Sequence, residues 1–253
     1  MLYYLVCDLM NKFLDLFEQE KPLIGMLHLG KRGFYKETFN LTKYELNTYL
    51  DNGFDGVIVE DYFGNLDEVE RTLEYLYVLR DDVIYGVNCL RDYKIAFELA
   101  QAYKAKFIQI DSVAGHLPVI EDEKYAKELN ELRNLIDIPV IGGVRFKYQP
   151  YLSGRSLKED LELGMQRSDG IVVTGDGTGL ETPLKKAAEF KYFIKDFPLI
   201  IGAGLTLANC IPSLKVGDAA IVGSYVKHNH KDIGIVSEKH VKRLVYKVNT
   251  IRK

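Results

Sequence analysis

Residues 172–179 read Val-Val-Thr-Gly-Asp-Gly-Thr-Gly, residues 200–206 read Ile-Ile-Gly-Ala-Gly-Leu-Thr, and residues 220–224 read Ala-Ile-Val-Gly-Ser. Each is a short run rich in β-branched residues that ends on glycine. Helix-compatible sequence separates the three runs, so their carboxyl ends are expected to lie side by side at one edge of a parallel sheet. Glycines there let backbone N–H groups approach an anion, and the helices that follow add favourable dipoles.

Apolar runs of this kind recur along the chain and alternate with segments of helical character. The predicted strands are 23–27, 56–59, 83–87, 107–110, 140–144, 171–174, 199–201 and 219–222. Continuous apolar runs fit strands that are buried on both faces, and eight strand–helix units make one closed barrel. The sequence therefore predicts an α/β fold, a (β/α)8 TIM barrel with a phosphate site after strands seven and eight. An open doubly wound sheet is the alternative.

The length of the chain fits one barrel. A (β/α)8 domain needs about 250 residues, the chain has 253, and no linker divides it, so one domain over residues 1–253 is expected. The amino-terminal segment is apolar and then meets Asp8, Lys12 and Asp15. That pattern predicts a capping helix over residues 1–20 and not a signal peptide.

Composition excludes several classes of protein. A net charge of −3 and a pI near 6.0 give no basic surface for nucleic acid. No uncharged stretch is long enough for a membrane span, and three scattered cysteines do not indicate a disulfide framework. A cytoplasmic protein is expected. The tyrosine-rich segment 75–85 is a candidate surface for a homo-oligomer.

Polar and ionisable residues stand at or just after the predicted strand ends, where a barrel places its active site. Three are candidate catalytic residues: His28, Glu60 and Asp111. Six are candidate substrate-binding residues: Asn88, Arg145, Lys147, Thr174, Asp176 and Thr178. Five are candidate phosphate-binding residues: Gly202, Gly204, Thr206, Gly223 and Ser224.

The roles of the catalytic candidates follow from their surroundings. Glu60 ends an apolar strand, and burial at the barrel opening would raise its pKa into the range of a general acid or base. Asp111 is placed nearly opposite in barrel order, so the two carboxyl groups are expected to share proton transfer or to hold a divalent ion with a phosphate oxygen. His28 is either a proton shuttle or a structural histidine. Asp61 is expected to point outward.

The glycine-rich loops do not match a cofactor motif. The spacing at 175–179 differs from a dinucleotide fingerprint, and no Gly-Lys-Ser/Thr follows as in a P-loop. Thr206 is expected to begin a helix whose first N–H groups face a phosphate, with Lys147 and Lys227 as charge partners. His228 and His230 lack a third ligand, so no metal site is predicted from them. No cofactor is indicated.

Six motifs in order resemble the BtpA/SgcQ family, named for photosystem I biogenesis. The resemblance spans residues 21–244. The motifs are Lys21-Pro-Leu-Ile-Gly-Met-Leu-His-Leu29, Asp55-Gly-Val-Ile-Val-Glu60 with Phe63-Gly64, Gly86-Val-Asn-Cys-Leu-Arg-Asp92, Thr174-Gly-Asp-Gly-Thr-Gly179, Gly204-Leu-Thr-Leu-Ala-Asn209 and Val222-Gly-Ser224.

The resemblance implies a phosphate-binding barrel of the ribulose-phosphate-binding type, with a setting in sugar metabolism in some members. Two segments depart from the family pattern. Gly143-Val-Arg-Phe-Lys147 stands where the family has Asp-Val-His-Val-Lys, so an acid and a histidine are missing. Gly30-Lys-Arg-Gly33 replaces a loop that tends to carry prolines.

Two functions are compatible with these observations. The first is an enzyme that acts on a phosphorylated sugar or a nucleotide-like compound, as an isomerase, a lyase or a glycosidic-bond hydrolase. The second, implied by the family name, is a non-catalytic assembly or stability factor. Ligand-dependent melting separates the two, since only the first requires a small-molecule ligand.

Overall fold

The computed structural model describes residues 11–31 and 38–252, and within them strands and helices alternate. The strands are Leu23–Gly30 (β1), Gly56–Phe63 (β2), Tyr85–Asn88 (β3), Phe107–Ala114 (β4), Val140–Val144 (β5), Gly170–Val173 (β6), Leu199–Ile201 (β7) and Ala219–Val222 (β8). The helices are Thr38–Leu50 (α1), Leu66–Val78 (α2), Tyr93–Ala102 (α3), Val119–Leu135 (α4), Leu157–Arg167 (α5), Leu184–Ile194 (α6), Cys210–Val216 (α7) and Glu238–Val248 (α8). All strand pairs are parallel, and β8 pairs with β1. The predicted (β/α)8 barrel is confirmed.

The barrel carries two separate apolar layers. One lies between the strands and the surrounding helices, and the other fills the barrel interior. At the amino-terminal end of the strands, Phe13 and Phe17 pack against Phe107, with the rings of Phe13 and Phe107 5.3 Å apart and edge to face. Phe13 is fully buried, so these rings close the lower end of the barrel.

The capping segment differs from the predicted helix. Residues 1–10 lie outside the described residues. Residues 11–20 hold a 3-10 turn, Leu14–Leu16, in place of an α-helix. The side chain of Asn11 accepts a hydrogen bond from the N–H of Leu14, 3.0 Å away, which favours a tight turn. This turn directs Phe13 and Phe17 under the barrel.

Three strands run further than their apolar runs indicate. β1, β2 and β4 continue to Gly30, Phe63 and Ala114, so the polar residues near their ends are members of the sheet. In the ladder, His28 lies opposite Glu60 and Glu60 lies opposite Asn88. The three side chains therefore occupy one level of the barrel.

Two helices show clearly how the local sequence determines their start and their buried face. α5 begins after Ser156, whose hydroxyl accepts from the N–H of Glu159 while the Glu159 carboxylate accepts from the N–H of Ser156. α8 buries an apolar face at helical spacing, which consists of Val241, Leu244, Val245 and Val248.

Only part of segment 75–85, the candidate surface for a homo-oligomer, is exposed to solvent. Tyr85 is fully buried on β3, and Tyr75 packs against the core. Tyr77, Val78, Asp81 and Asp82 are exposed, so the apolar residues of segment 75–85 that remain for an interface are Tyr77 and Val78. Across residues 11–31 and 38–252, none of the helices combines the length and apolar character of a membrane span. The cytoplasmic location stays a prediction.

Candidate active site

The centre of the site is the row formed by His28, Glu60 and Asn88 on β1, β2 and β3. All three side chains are buried. Nε2 of His28 lies 3.6 Å from Oε2 of Glu60, and Nδ2 of Asn88 donates to Oε1 of Glu60 over 3.0 Å. The parallel ladder fixes this arrangement, since neighbouring strands place residues of equal register side by side.

Asp111 joins the row through the same amide. Nδ2 of Asn88 also donates to Oδ1 of Asp111, 3.1 Å away. Glu60 and Asp111 stand on β2 and β4, with one strand between them, so the expectation that they face each other across the barrel is wrong. β3 lies between β2 and β4. The side-chain amide of Asn88, at the end of β3, links the two carboxyl groups.

Both carboxyl groups are held toward their protonated forms. Burial raises the pKa of Glu60 to about 8, with further repulsion from Asp111, while the charge of Lys147 and the hydrogen bond from Asn88 oppose the rise. Burial likewise raises the pKa of Asp111, against the hydrogen bond from Asn88 and the charge of Lys147. A group with a pKa of about 8 both gives and takes protons near neutral pH.

Gln109 is a site residue that the sequence analysis missed. It lies on β4 and is buried; its Nε2 donates to Oδ1 of Asp111 over 3.4 Å. Its Oε1 is buried and has no hydrogen-bond partner among the described residues, and the side chain lines the cavity. The available signal was its position as the single polar residue within the apolar run Phe107-Ile-Gln-Ile110.

Lys227 has a different place from the one predicted. Its side chain is fully buried and does not line the cavity as a charge partner for a phosphate. Its Nζ lies 3.1 Å from Nδ1 of His28 and donates to the backbone carbonyl of Asp232. The lysine therefore lies behind His28, and Lys147 is the lysine that lines the cavity.

A cavity of about 680 Å³, counted to its open mouth, connects His28 and Glu60 with the glycine loops, whereas Asn88 and Asp111 do not line it. Glu60, Gln109 and Lys147 line one part of it. The loops after β7 and β8 line the other part with all five predicted phosphate-binding residues: Gly202, Gly204, Thr206, Gly223 and Ser224. The Oγ of Ser224 is buried and has no hydrogen-bond partner within the described residues.

Close packing explains the glycine at position 204. Its φ of +65° lies in the left-handed region, and a Cβ there would stand 2.2 Å from the carbonyl oxygen of Leu180. The loop after β6 therefore lies directly on the loop after β7. The same loop reaches the loop after β8, where a Cβ on Gly179 would stand 3.2 Å from Oγ of Ser224.

Thr206 begins a turn that precedes α7. Its Oγ1 accepts from the N–H of Asn209 over 3.3 Å, and its own N–H donates to Oδ1 of Asn209 over 2.7 Å. α7 itself begins at Cys210. The N–H of Thr206 is thus already used within the turn, although the residue lines the cavity.

Arg145 and Thr174 lie outside the cavity. Arg145 follows β5 with a φ of +49°, which turns its side chain toward α5, where Nε donates to Asp160 over 2.9 Å. The Oγ1 of Thr174 accepts from the N–H of Lys147 over 2.9 Å. Thr174 thus supports the backbone of a residue that does line the cavity.

The loop after β6 is tied to its neighbours by two tyrosines. The N–H of Thr178 donates to the hydroxyl of Tyr148 over 2.8 Å. The hydroxyl of Tyr62 lies 3.2 Å from Oγ1 of Thr178 and 3.2 Å from Oδ2 of Asp232. Thr178 lines the cavity, whereas Asp176 is exposed and does not.

Two side chains that were secondary candidates in the sequence, Asp61 and His230, have defined positions. Asp61 is buried beside the outer face of β2 and accepts from the N–H of Leu90 over 2.8 Å. His230 lines the cavity and stacks on His240, with ring centroids 4.7 Å apart. Among the described residues, no three His, Cys, Asp or Glu side chains are grouped as a metal site would require.

Comparison of the sequence with protein families confirms the resemblance described above. A profile of the BtpA family matches residues 19–250. An uncharacterized protein of Pyrococcus furiosus is 29% identical over 262 residues, covering 94% of this chain and 98% of the relative. An uncharacterized protein of Methanocaldococcus jannaschii is 27% identical, covering 92% and 97%.

Solved structures share the fold at low sequence identity. Phosphoribosyl anthranilate isomerase from Thermus thermophilus matches with a TM-score of 0.61 and 14% identity, over 91% of this chain and 99% of that chain. Thiamine phosphate pyrophosphorylase from Pyrococcus furiosus matches with a TM-score of 0.60 and 14% identity, over 91% and 96%. A structure described as native KDPGal matches with a TM-score of 0.60 and 11% identity, over 90% and 95%.

Proposed function

The chain belongs to the BtpA family, and from that premise we propose that it is an enzyme acting on a phosphorylated small molecule, either a sugar phosphate or a nucleotide-like compound. The reaction is an isomerisation, a lyase reaction or the cleavage of a glycosidic bond, each of which requires a proton to be moved. Glu60 supplies the acid–base group that lines the cavity, and Asp111 shares its proton equilibrium through the amide of Asn88. His28 orients the substrate, and Asn88 orients the two carboxyl groups.

One observation carries this proposal. Glu60 and Gly204 open onto the same cavity, so a single ligand can contact Glu60 and the glycine loops together. Had the two opened onto different surfaces, a phosphate held by the loops would lie away from any acid.

The loops after β7 and β8 supply the phosphate end. Ser224 offers a buried hydroxyl with no hydrogen-bond partner among the described residues, and an anionic oxygen would satisfy it. Lys147 supplies a positive charge that lines the same cavity. Two proteins of the same fold have names that contain a phosphorylated compound, phosphoribosyl anthranilate and thiamine phosphate, which favours this assignment.

The acid–base end suits reactions at neutral pH. A pKa of about 8 leaves Glu60 protonated in most molecules at pH 7, which is the form of a general acid. Asp111 is linked to it through one amide, so the ionisation of either acid affects the other.

The proposal is tested by melting the protein with millimolar inorganic phosphate and with a panel of sugar phosphates and nucleotides. A ligand that binds only the folded chain at 100 times its Kd adds about 2.7 kcal/mol to the free energy of unfolding, which is a measurable rise in Tm. We expect a rise with inorganic phosphate and a larger rise with at least one phosphate ester.

Matched variants separate binding from general stability. Ser224→Ala should reduce the rise in Tm caused by phosphate. Ser112→Ala removes another buried hydroxyl that has no partner among the described residues, but it lies outside the cavity and should leave the rise unchanged. Glu60→Gln should keep phosphate binding and lose turnover of the phosphate ester identified by the panel. If no compound raises the Tm, the result would contradict the proposed enzymatic function and favour a non-catalytic assembly factor.

A further inference from the structure

Gln109 has one polar atom that the described part of the chain leaves unused. Its side chain is 3% exposed and lines the cavity. Nε2 of the amide donates to Oδ1 of Asp111, 3.4 Å away, whereas Oε1 is buried and has no hydrogen-bond partner within residues 11–31 and 38–252. Buried polar atoms nearly always have a partner, so an open acceptor on a cavity-lining side chain points to a donor that a ligand brings.

The immediate neighbours of Gln109 explain why its Oε1 is left open. Side chains two residues apart on a strand point to the same face, so Phe107 and Asp111 flank Gln109 on the inner face of β4. Ile141 lies opposite Gln109 on β5. Phe107 and Ile141 belong to the apolar layer of the barrel interior, and Asp111 faces the amide with an acceptor oxygen. These neighbours contribute apolar surface and an acceptor, so Oε1 depends on the cavity for a donor.

The direction of the Gln109 amide is set by Asp111. Oδ1 of Asp111 also accepts from Nδ2 of Asn88, 3.1 Å away, which holds this oxygen in the role of an acceptor. If Gln109 turned its oxygen toward Oδ1, two acceptors would face each other. The N–H therefore stays on Asp111. Because the terminal torsion of a glutamine is soft, Oε1 can still adjust to a donor in the cavity.

Gln109 and Ser224 stand on opposite sides of the barrel. Three strands separate β4 from β8 in either direction around the sheet, so the two strands face each other across the barrel axis. Gln109 is part of β4, Ser224 follows the end of β8, and both residues line the cavity. A ligand whose phosphate is held by the loop after β8 can therefore extend its other end toward Gln109.

We propose that Gln109 is a specificity-determining residue whose Oε1 accepts a hydrogen bond from a neutral donor, a hydroxyl or an N–H, at the end of the ligand remote from the phosphate. This inference rests on the proposed function, because it assigns the second end of the same ligand. It narrows the substrate class to phosphate esters that carry such a donor.

The charges around the cavity favour a neutral donor over an ammonium group. Lys147 lines the same cavity and would repel a second cation. Glu60 has a pKa of about 8, so at pH 7 most molecules hold it neutral and without a charge to balance a cation. A buried ammonium facing only the neutral oxygen of Gln109 would also lose its hydration without an ionic partner. A hydroxyl or an N–H has none of these costs.

The donor is tested with phosphate esters that differ only at the remote end. Esters with chains of three to six carbons are prepared with a methyl, methoxy, hydroxyl or carbamoyl end, so that the series covers a range of distances from the phosphate. The methyl end has no polar atom, the methoxy end is an acceptor alone, and the hydroxyl and carbamoyl ends supply an O–H and an N–H donor.

We expect at least one donor ester to bind about tenfold more tightly than the methyl and methoxy esters of the same length, the effect of one well-placed hydrogen bond. A preference for the hydroxyl end indicates a sugar phosphate, and a preference for the carbamoyl end indicates a nucleotide-like compound that offers an N–H. Equal affinities at every length would overturn the proposal. Tighter binding of the methoxy ester than of both donor esters would also overturn it, because the amide N–H would then face the ligand.

Gln109→Met removes the amide at similar length and identifies the residue responsible. We expect the preference for a donor to disappear in this variant, while the methyl ester binds at least as tightly as to the wild type, because methionine offers it an apolar surface. A donor preference that persists unchanged in Gln109→Met would overturn the proposal.

Thermal stability without ligand separates a binding role from a structural one. Asn209 is a buried amide with both ends used: Nδ2 donates to the carbonyl of Gly204 over 2.9 Å, and Oδ1 accepts from the N–H of Thr206 over 2.7 Å. Asn209→Leu should therefore lower the Tm by several degrees. Gln109→Met loses one long hydrogen bond and removes an oxygen that has no partner, so its Tm should equal or exceed that of the wild type. A Tm lowered as far as in Asn209→Leu, or failure to fold, would overturn the proposal.

Inorganic phosphate distinguishes the failure of this inference from the failure of the proposed function. If phosphate raises the Tm of the wild type and of Gln109→Met alike while no ester shows a preference for a donor, the inference fails and the proposed function stands. If neither phosphate nor any ester binds to the wild type, the proposed function fails, and the role of Gln109 fails with it.

Discussion

Asn88 donates a hydrogen bond through Nδ2 to Oε1 of Glu60, 3.0 Å away. The second N–H of the same amide is directed to Asp111. One neutral side chain thus stabilises the ionised forms of two acids that burial drives toward protonation. The balance between burial and this amide sets the acidity of the site, and it can be changed at one residue.

Removing the Asn88 amide should raise the pKa of both acids. In Asn88→Ala, the pKa of Glu60 should rise above about 8 and the pKa of Asp111 should rise as well, because each acid loses a hydrogen bond that favours its ionised form. Carboxyl 13C titration of Glu- and Asp-labelled protein measures both. Asn52→Ala, which removes an amide that donates to the carbonyl of Thr48 on α1, away from both acids, is the control. Unchanged midpoints in Asn88→Ala would contradict the stated role of the amide.

The ionisation of Glu60 should lower the free energy of unfolding as pH rises. Its pKa is about 8 in the folded protein against 4.5 as the ordinary value, so the folded state holds this proton more tightly than the unfolded chain does. The resulting stabilisation is complete below pH 4.5 and is lost as pH rises to about 8. Each pKa unit of difference corresponds to about 1.4 kcal/mol, which is an upper limit here.

Urea unfolding from pH 5 to pH 9 tests this dependence. Glu60→Gln lacks the titrating group, so the free energy of unfolding of the wild type should fall relative to the variant across that range. Glu189→Gln, on the exposed face of α6, should follow the wild type. Parallel curves for the wild type and Glu60→Gln would show that Glu60 titrates normally.

Two glycines with nearly equal φ angles allow a matched test of loop packing. Gly204 and Gly154 have φ of +65° and +66°, but a Cβ meets the backbone of Leu180 at Gly204 and nothing within 4 Å at Gly154. Gly154→Ala should cost about 1 kcal/mol of unfolding free energy, from the left-handed conformation alone. Gly204→Ala should cost more and should weaken phosphate binding. Equal effects on stability and binding would mean that the loops after β6 and β7 separate easily.

The aromatic group under the barrel should be important for stability. Phe13→Ala removes a fully buried ring that contacts Phe17 and Phe107, and the expected loss is about 3–5 kcal/mol in the free energy of unfolding. Leu135→Ala, at the exposed end of α4, should change it by less than about 0.5 kcal/mol. A small loss in Phe13→Ala would mean that the segment before β1 is not part of the folded core.

The barrel was predictable because its strands are buried on both faces, so each reads as an unbroken apolar run. The ends of β1, β2 and β4 were less predictable, since His28, Glu60 and Asp111 are polar yet lie within the strands. Their polarity indicates the position of the site, but it also makes each strand look shorter in the sequence than it is.

Site residues at strand ends were predictable from position, whereas their partners were not. Lys227 and His28 are 199 residues apart, and only closure of β8 against β1 brings them together. Arg145 was misplaced for a local reason. Its left-handed backbone, which periodicity does not reveal, turns the guanidinium toward Asp160.

The packing of aromatic rings at the lower end of the barrel has a consequence for turnover. Phe13, Phe17 and Phe107 pack together at the lower end of the barrel, so within the described part of the chain we expect a ligand to enter and leave between the loops at the carboxyl end of the strands. If the reaction cleaves its ligand, the protein must therefore release the two products one after the other. The fragment nearer the opening leaves first, and it blocks the deeper one until it has gone.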